Sequence, residues 1–325
     1  MNIFLVKSPL QLLNAIEAVH SFSLSHCILV INYEANDQNN KQIESLLNLH
    51  SWFAIIRVRK DKRPQFLIHY LIIRRIMSFS VEVQGIYIGD YRMDNFVKYL
   101  DAIPAKESVL LDDGAATIRM YNNYISQNRR PKKGEVEKWI KFAASTLLGI
   151  RGGKAYDLSL FTVFDFPNSK NCKVHKNSYR FLSSAFADAR VSQTKGIIIG
   201  AKTAELGMQS EENYIKLLRH TIDQHKEASW EYIPHRGEDA VKLSLIQDKL
   251  KLKVNMIDVP IEVYILSMAD RPYFVCGFVS SALLNIKCIL PQLKTEAYVD
   301  RELYAQFEDV IGVLRQMNVD VYQVN

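Results

Sequence analysis

The strongest constraint on this chain is a rhythm. Short apolar runs alternate with apolar-periodic stretches from residue 2 to about residue 290. The first run, Asn2-Ile3-Phe4-Leu5-Val6, alternates too little for a half-exposed strand and reads as one buried on both faces, as in a parallel sheet. Pro9 then opens a helical stretch with Leu10, Leu13, Ile16, Ala18 and Val19 on its apolar side. Further strands are predicted at 27–31, 53–58, 85–88, 107–111 and 158–162. Helices are predicted at 39–48, 64–78, 92–100, 116–127 and 135–149. Such alternation implies right-handed crossovers and a Rossmann-like α/β sheet.

The polar, turn-rich segment after Asp165 interrupts the rhythm, so the chain is divided into a domain at 1–165, a linker at 166–178 and a second domain at 179–325. In the second, strands are expected near 195–200, 229–233, 253–256, 272–276 and 287–290, with helices near 211–226, 239–250, 261–268 and 279–285. One terminal helix is expected over 300–317. Two Rossmann-like domains facing each other across a cleft define the GT-B architecture. A length of 325 residues suits two domains.

Composition narrows the partners. Lys and Arg number 41 against 35 Asp and Glu, a mild excess that favours anionic ligands. The excess is too diffuse to argue for nucleic acid, and no RRM, KH, zinc-finger or helix-turn-helix signature is present, so no nucleic-acid partner is expected. The cysteines Cys27, Cys172, Cys276 and Cys288 are scattered, which argues against a zinc site or disulfide framework and for a reducing cytoplasm. No signal or membrane-spanning segment is expected.

In open α/β sheets ligands bind beyond the carboxyl ends of the strands, so four strand-to-loop junctions matter. Leu111-Asp112-Asp113-Gly114 ends a strand in two carboxylates that raise each other's pKa, with a glycine that permits close approach. Ile233-Pro234-His235-Arg236 offers an imidazole and a cation to a phosphate. Pro260-Ile261-Glu262 places a carboxylate able to accept ribose hydroxyls, and Gly277-Phe278-Val279-Ser280-Ser281 puts two hydroxyls at a helix start, where anions bind. The plain alternative for His235 is a hydrogen-bonded surface loop histidine, and for the other three it is helix capping or a favourable charge in a first turn. The basic runs Arg57 to Arg63 and Arg129 to Lys133, with Lys138, Trp139 and Lys141 following the second, are either solvated charge or contacts for an anionic glycan or membrane surface.

The order and spacing of these junctions resemble the bacterial sialyltransferases, namely glycosyltransferase families 38 (polysialyltransferases), 52 (lipooligosaccharide sialyltransferases) and 80. The D/E-D/E-G motif matches Asp112-Asp113-Gly114, the H-P motif matches His235 with Arg236 in place of the proline, the intervening glutamate matches Glu262, and the Ser/Thr pair matches Ser280-Ser281. The opening Ser8-Pro9-Leu10-Gln11, followed by Asn14, is similar to the families' entry into the first helix. The resemblance implies an inverting enzyme that needs no metal or other cofactor and moves sialic acid from CMP-sialic acid to a lipooligosaccharide or capsular glycan. It implies Asp112 as the base with Asp113 as the alternative, His235 on the departing phosphate, Glu262 on the ribose, and Ser280 and Ser281 on the phosphate with Gly277 and Arg236 beside them. Ser8 and Gly114 fall on the acceptor side. Peripheral contact with the inner membrane and a homodimer are compatible with this reading. The alternatives are another donor (CMP-Kdo or a UDP-hexose) and a non-catalytic glycan-binding protein of the same fold.

Overall fold

Every residue of Asn2–Val6 (β1) is buried, as a central parallel strand requires. The structure is a computed structural model that describes residues 1–59, 64–79, 81–131, 143, 146–147, 157–168, 172–186 and 189–324. It divides into two units, Met1–Asn177 and Ser178–Asn325.

In the first unit β1 leads into α1 (Pro9–Ser21), β2 (Cys27–Asn32), α2 (Asp37–Leu46), β3 (Ala54–Val58), α3 (Gln65–Ser78), β4 (Val83–Ile88) and α4 (Asp94–Ala102). Then follow β5 (Ala105–Leu111), α5 (Ala115–Met120) with one π turn at Tyr121–Ile125, β6 (Leu158–Thr162) and β7 (Val174–Lys176). The sheet is parallel throughout, in the order β3-β2-β1-β4-β5-β6-β7. The chain runs outward from β1 through β2 to β3, then restarts beside β1 with β4. The β1/β4 boundary is therefore the topological switch point, where open α/β sheets hold their ligands. Phe4 on β1 stacks on Tyr87 of β4 with ring centroids 4.3 Å apart, packing the sheet directly at this boundary.

The second unit runs α6 (Arg180–Ala185), β8 (Arg190–Val191), β9 (Lys195–Ile199), α7 (Glu211–Gln224), β10 (Ser229–Ile233), α8 (Ala240–Leu250), β11 (Lys253–Val254) and α9 (Ile261–Ser267). It continues with β12 (Asp270–Arg271), β13 (Phe274–Gly277), α10 (Ser281–Ile289), β14 (Lys294–Val299), α11 (Arg301–Gln306), α12 (Glu308–Gln316) and β15 (Asp320–Gln323). Its main sheet is again parallel, ordered β11-β10-β9-β13-β14-β15, with the switch point between β9 and β13. Strands β8 and β12 form a separate parallel pair.

Three expectations are corrected. The segment assigned as linker, 166–178, contains β7, which pairs with β6, and Asn177 is fully buried against Asn14 through a 2.9 Å hydrogen bond. The strand expected at 287–290 is the end of α10. The next strand is β14, a Lys-Thr-Glu-Ala-Tyr-Val segment whose buried Glu296 is held by Lys294 at 2.7 Å, His225 at 2.8 Å and Tyr298 at 2.7 Å. The terminal helix breaks at Phe307, which lies outside helical dihedrals (φ −125°), and the chain adds β15 beyond it. Of the helix expected at 135–149 only residues 143, 146 and 147 are described, as helix, and Lys60, Lys62, Arg63, Lys132, Lys133, Lys138, Trp139 and Lys141 fall outside the described residues. Among the described residues no helix is long and apolar enough to cross a membrane.

Candidate functional site

At the carboxyl end of β5 the adjacent carboxylates have opposite fates. Asp112 is 1% exposed. Its Oδ1 accepts from the Gly114 N–H and the Thr117 hydroxyl, both at 2.8 Å, and its Oδ2 accepts from the Thr162 hydroxyl at 2.7 Å and the Val163 N–H at 3.0 Å. The side chain thus ties β5, β6 and the first turn of α5 together. Asp112, expected as the base, therefore has both oxygens engaged inside the protein, which favours the alternative, Asp113. Gly114 makes the turn possible, with φ +64° and ψ −137°, a conformation that a Cβ would strain.

Asp113 points the other way and its side chain is 21% exposed. Oδ1 accepts from Gln11 Nε2 at 3.0 Å, and Oδ2 is 3.2 Å from the Arg92 guanidinium. Burial pushes its pKa up to about 7; the charge of Asp90 adds to the rise, and Gln11, Arg92 and Lys7 oppose it. Asp90, just beyond β4, is buried yet held below the usual carboxylate range, because Arg92 and Lys7 outweigh the cost of burial. Arg92 grips it through two bonds of 2.8 and 3.0 Å, and Lys7 Nζ lies 3.1 Å away and also 3.3 Å from Glu34. Gln11 is oriented by the backbone, since its Oε1 accepts from the Lys7 N–H at 2.9 Å, which leaves the amide nitrogen to donate to Asp113. Gly89 gives it room, for a Cβ there would collide with the Gln11 carboxamide. Ser8 caps α1 by accepting from the Gln11 N–H at 3.3 Å, so it acts on the site through Gln11. A small pocket lined by Gly89, Asp90, Arg92, Asp113 and Thr117 opens here.

In the second unit His235 follows β10. Its Nδ1 accepts from the Gly237 N–H at 3.0 Å, which assigns the neutral tautomer with its proton on Nε2. Burial, together with the nearby charges of Arg236 and Lys202, lowers its pKa to about 4. The imidazole is therefore neutral at pH 7, held beside two cations. The loop is fastened from below. Glu238 accepts from the His235 N–H at 2.6 Å and the Tyr232 hydroxyl at 2.6 Å, and pairs with buried Lys242 at 3.1 Å. Lys242 also reaches Glu205 and the Ala201 carbonyl at 3.0 Å and sits 4.0 Å over the Tyr214 ring.

Glu262, in the first turn of α9, is 6% exposed and accepts from Asn285 of α10 at 2.9 Å. Burial raises its pKa, opposed by Asn285 and by the charge of Arg236, so the structure brings Glu262 within electrostatic reach of the His235 loop. Ser280 is the N-cap of α10, accepting from the Ala282 N–H at 3.2 Å, and Ser281 is the first helical residue. Capping uses an oxygen lone pair and leaves the hydroxyl proton of Ser280 to donate. Gly277 has a packing cause, because a Cβ there would lie 2.8 Å from the Ile199 carbonyl across β9 and β13.

Sequence reasoning missed Lys7, Asp90, Arg92, Lys202, Glu238 and Lys242, and gave Gln11 no role. A signal for the first group exists. Ile88-Gly89-Asp90 is an apolar strand ending in glycine and a carboxylate, as at residues 111–114. Among the described residues no group of three or more His, Cys, Asp or Glu side chains is placed to hold a metal ion.

No protein-family model matches the sequence, and no curated protein matches it. Solved structures are similar in fold. The UDP-GlcNAc 2-epimerase of Methanocaldococcus jannaschii aligns with TM-score 0.54 at 11% identity, covering 100% of this chain and 88% of that one. The same enzyme in complex with UDP-GlcNAc and UDP aligns with TM-score 0.50 at 11% identity, covering 100% and 89%. The S. aureus MnaA–UDP structure aligns with TM-score 0.50 at 12% identity, covering 91% and 78%. These likenesses show the fold, which is the GT-B class of two Rossmann-like units.

Proposed function

We propose that the chain is an inverting glycosyltransferase that moves sialic acid from CMP-sialic acid to a surface glycan at the inner face of the cytoplasmic membrane. The observation that carries this reading is Asp113, a partly exposed carboxylate at the carboxyl edge of the first sheet with its pKa near 7. A general base works best when its pKa lies near the operating pH. Asp113 accepts the acceptor's hydroxyl proton, the freed oxygen bonds to the anomeric carbon, and the bond from that carbon to the CMP phosphate breaks. Charge then grows on the phosphate, and stabilising it is the main task of the second unit. His235 donates from Nε2, with Lys202, Arg236 and the Ser280 hydroxyl supplying charge and a further donor. Glu262 accepts from the ribose, and no metal takes part.

A UDP-sugar as donor is a second reading, favoured by the UDP and UDP-GlcNAc complexes of the structural neighbours. One experiment separates them. The full chain is incubated with CMP-sialic acid, CMP-Kdo and UDP-hexoses, and nucleotide release is measured with and without glycan acceptors. Release from CMP-sialic acid alone supports the first reading, and release from a UDP-sugar alone replaces it with the second. Release from none leaves a glycan-binding protein.

A further inference from the structure

Helix α3 carries apolar residues on both its buried and its exposed side. One side, with Tyr70, Ile73 and Ile76, is buried in the core of the first unit. The other exposes Leu67 (39%) and Leu71 (58%); Met77 (45%) lies in the last turn of the helix, and Phe79 (52%) and Val81 (52%) follow it. Single exposed apolar residues are ordinary, but here five fall within 15 residues of sequence, with Leu67 and Leu71 on one helical face. Arg74 and Arg75 are exposed among them, on the same helical face as Leu67 and Leu71, and the Arg75 guanidinium sits 4.4 Å from the centre of the Phe79 ring.

The charge around these residues decides which partner they suit. Residues 64–81 contain no Asp or Glu. Along the sequence, the wider stretch 57–81 has seven Lys or Arg and one Asp, a net +6 that equals that of the entire chain, with Arg57 paired to Glu44 at 3.0 Å. A helix that mixes exposed apolar side chains with arginines and lacks carboxylates has the composition of one lying in a membrane interface, with its apolar residues at the acyl boundary and its cations at anionic headgroups. A second copy of this chain would bring another positive surface against this one.

From this we infer that the outer face of α3, with Phe79 and Val81, docks the protein on an anionic lipid surface. The inference rests on the proposed membrane-proximal acceptor only for its biological setting, and its test uses no sugar nucleotide. The full chain is sedimented with vesicles of phosphatidylcholine containing one third phosphatidylglycerol, and with pure phosphatidylcholine vesicles, at low and high salt. Binding to the anionic vesicles alone, weakened by salt, is expected. Arg74→Gln with Arg75→Gln should weaken it roughly 30-fold, the equivalent of about 1 kcal/mol per arginine. Leu71→Ser with Phe79→Ser should also weaken it, and circular dichroism should stay unchanged because these side chains are exposed. Absence of sedimentation with anionic vesicles overturns the inference. So does equal binding by the arginine variant, or a dimer in solution that Leu71→Ser with Phe79→Ser dissociates while the wild type ignores vesicles.

Discussion

Gln11 donates a 3.0 Å hydrogen bond to Asp113 across 102 positions of sequence, and its direction is fixed because the Lys7 N–H occupies its carbonyl. Gln11 is therefore a positioning residue for the proposed base. Gln11→Leu removes a donor to the charged form of Asp113. A hydrogen bond to a charged group contributes about 1.5–3 kcal/mol, so the acid limb of the rate profile should move up by about one pH unit or more. Gln11→Glu should move it further, by adding a like charge. An unshifted limb in a folded Gln11→Leu protein removes Gln11 from this role.

The two carboxylates should separate cleanly. Asp113→Asn should slow transfer by about 10²–10⁴-fold, the usual contribution of a general base, with nucleotide binding unchanged. Asp112→Asn should act through folding. Its amide nitrogen would face one backbone N–H and one threonine hydroxyl; the hydroxyl can turn, the N–H cannot, and an unsatisfied buried donor costs about 1–3 kcal/mol. Denaturant titration and single-turnover rates on both variants check this.

Asp113 should also mark the stability curve. Its folded pKa is about 7, above the ordinary 3.8, so the native state binds a proton that the unfolded chain releases, and stability falls as pH rises through that interval. Asp113→Asn removes the penalty. Its gain over wild type should be larger at pH 8 than at pH 5 by about 2–3 kcal/mol, read from urea midpoints. An equal gain at both pH values would mean that Asp113 titrates normally.

His235 should titrate near pH 4 in the free protein, visible as an imidazole NMR shift, and its pKa should rise when a phosphate dianion binds beside Nε2. The free enzyme's profile should therefore show no alkaline fall from His235. His235→Ala should slow both sugar transfer and donor hydrolysis by water.

Chelation should leave transfer intact after exhaustive treatment with EDTA. Loss of activity restored by a single divalent ion would overturn the metal-free mechanism.

The parallel sheets were legible because buried strands such as Ile3–Val6 and Gly196–Ile199 announce themselves by composition. Strand β14 was not, because Glu296 looks like a loop residue until His225, 71 positions earlier, is seen to satisfy it. The carboxylate pair could be found as a motif, but which member faces the pocket depends on Thr162 and Val163, about fifty positions away at the end of β6. Lys242 had no signal either. A lysine on an amphipathic helix reads as solvated, and only the fold places Glu205, Glu238 and an aromatic ring around it.

Gly89 and Gln11 share a single volume, and that has a consequence for how this protein can diverge. Any side chain at 89 evicts the long amide at 11 and with it the hold on Asp113, while a shorter residue at 11 leaves a void that alanine or serine at 89 would fill. Positions 11 and 89 are therefore expected to drift as a pair through related chains. A library that varies one while fixing the other should report both as intolerant, although a joint exchange is sterically open.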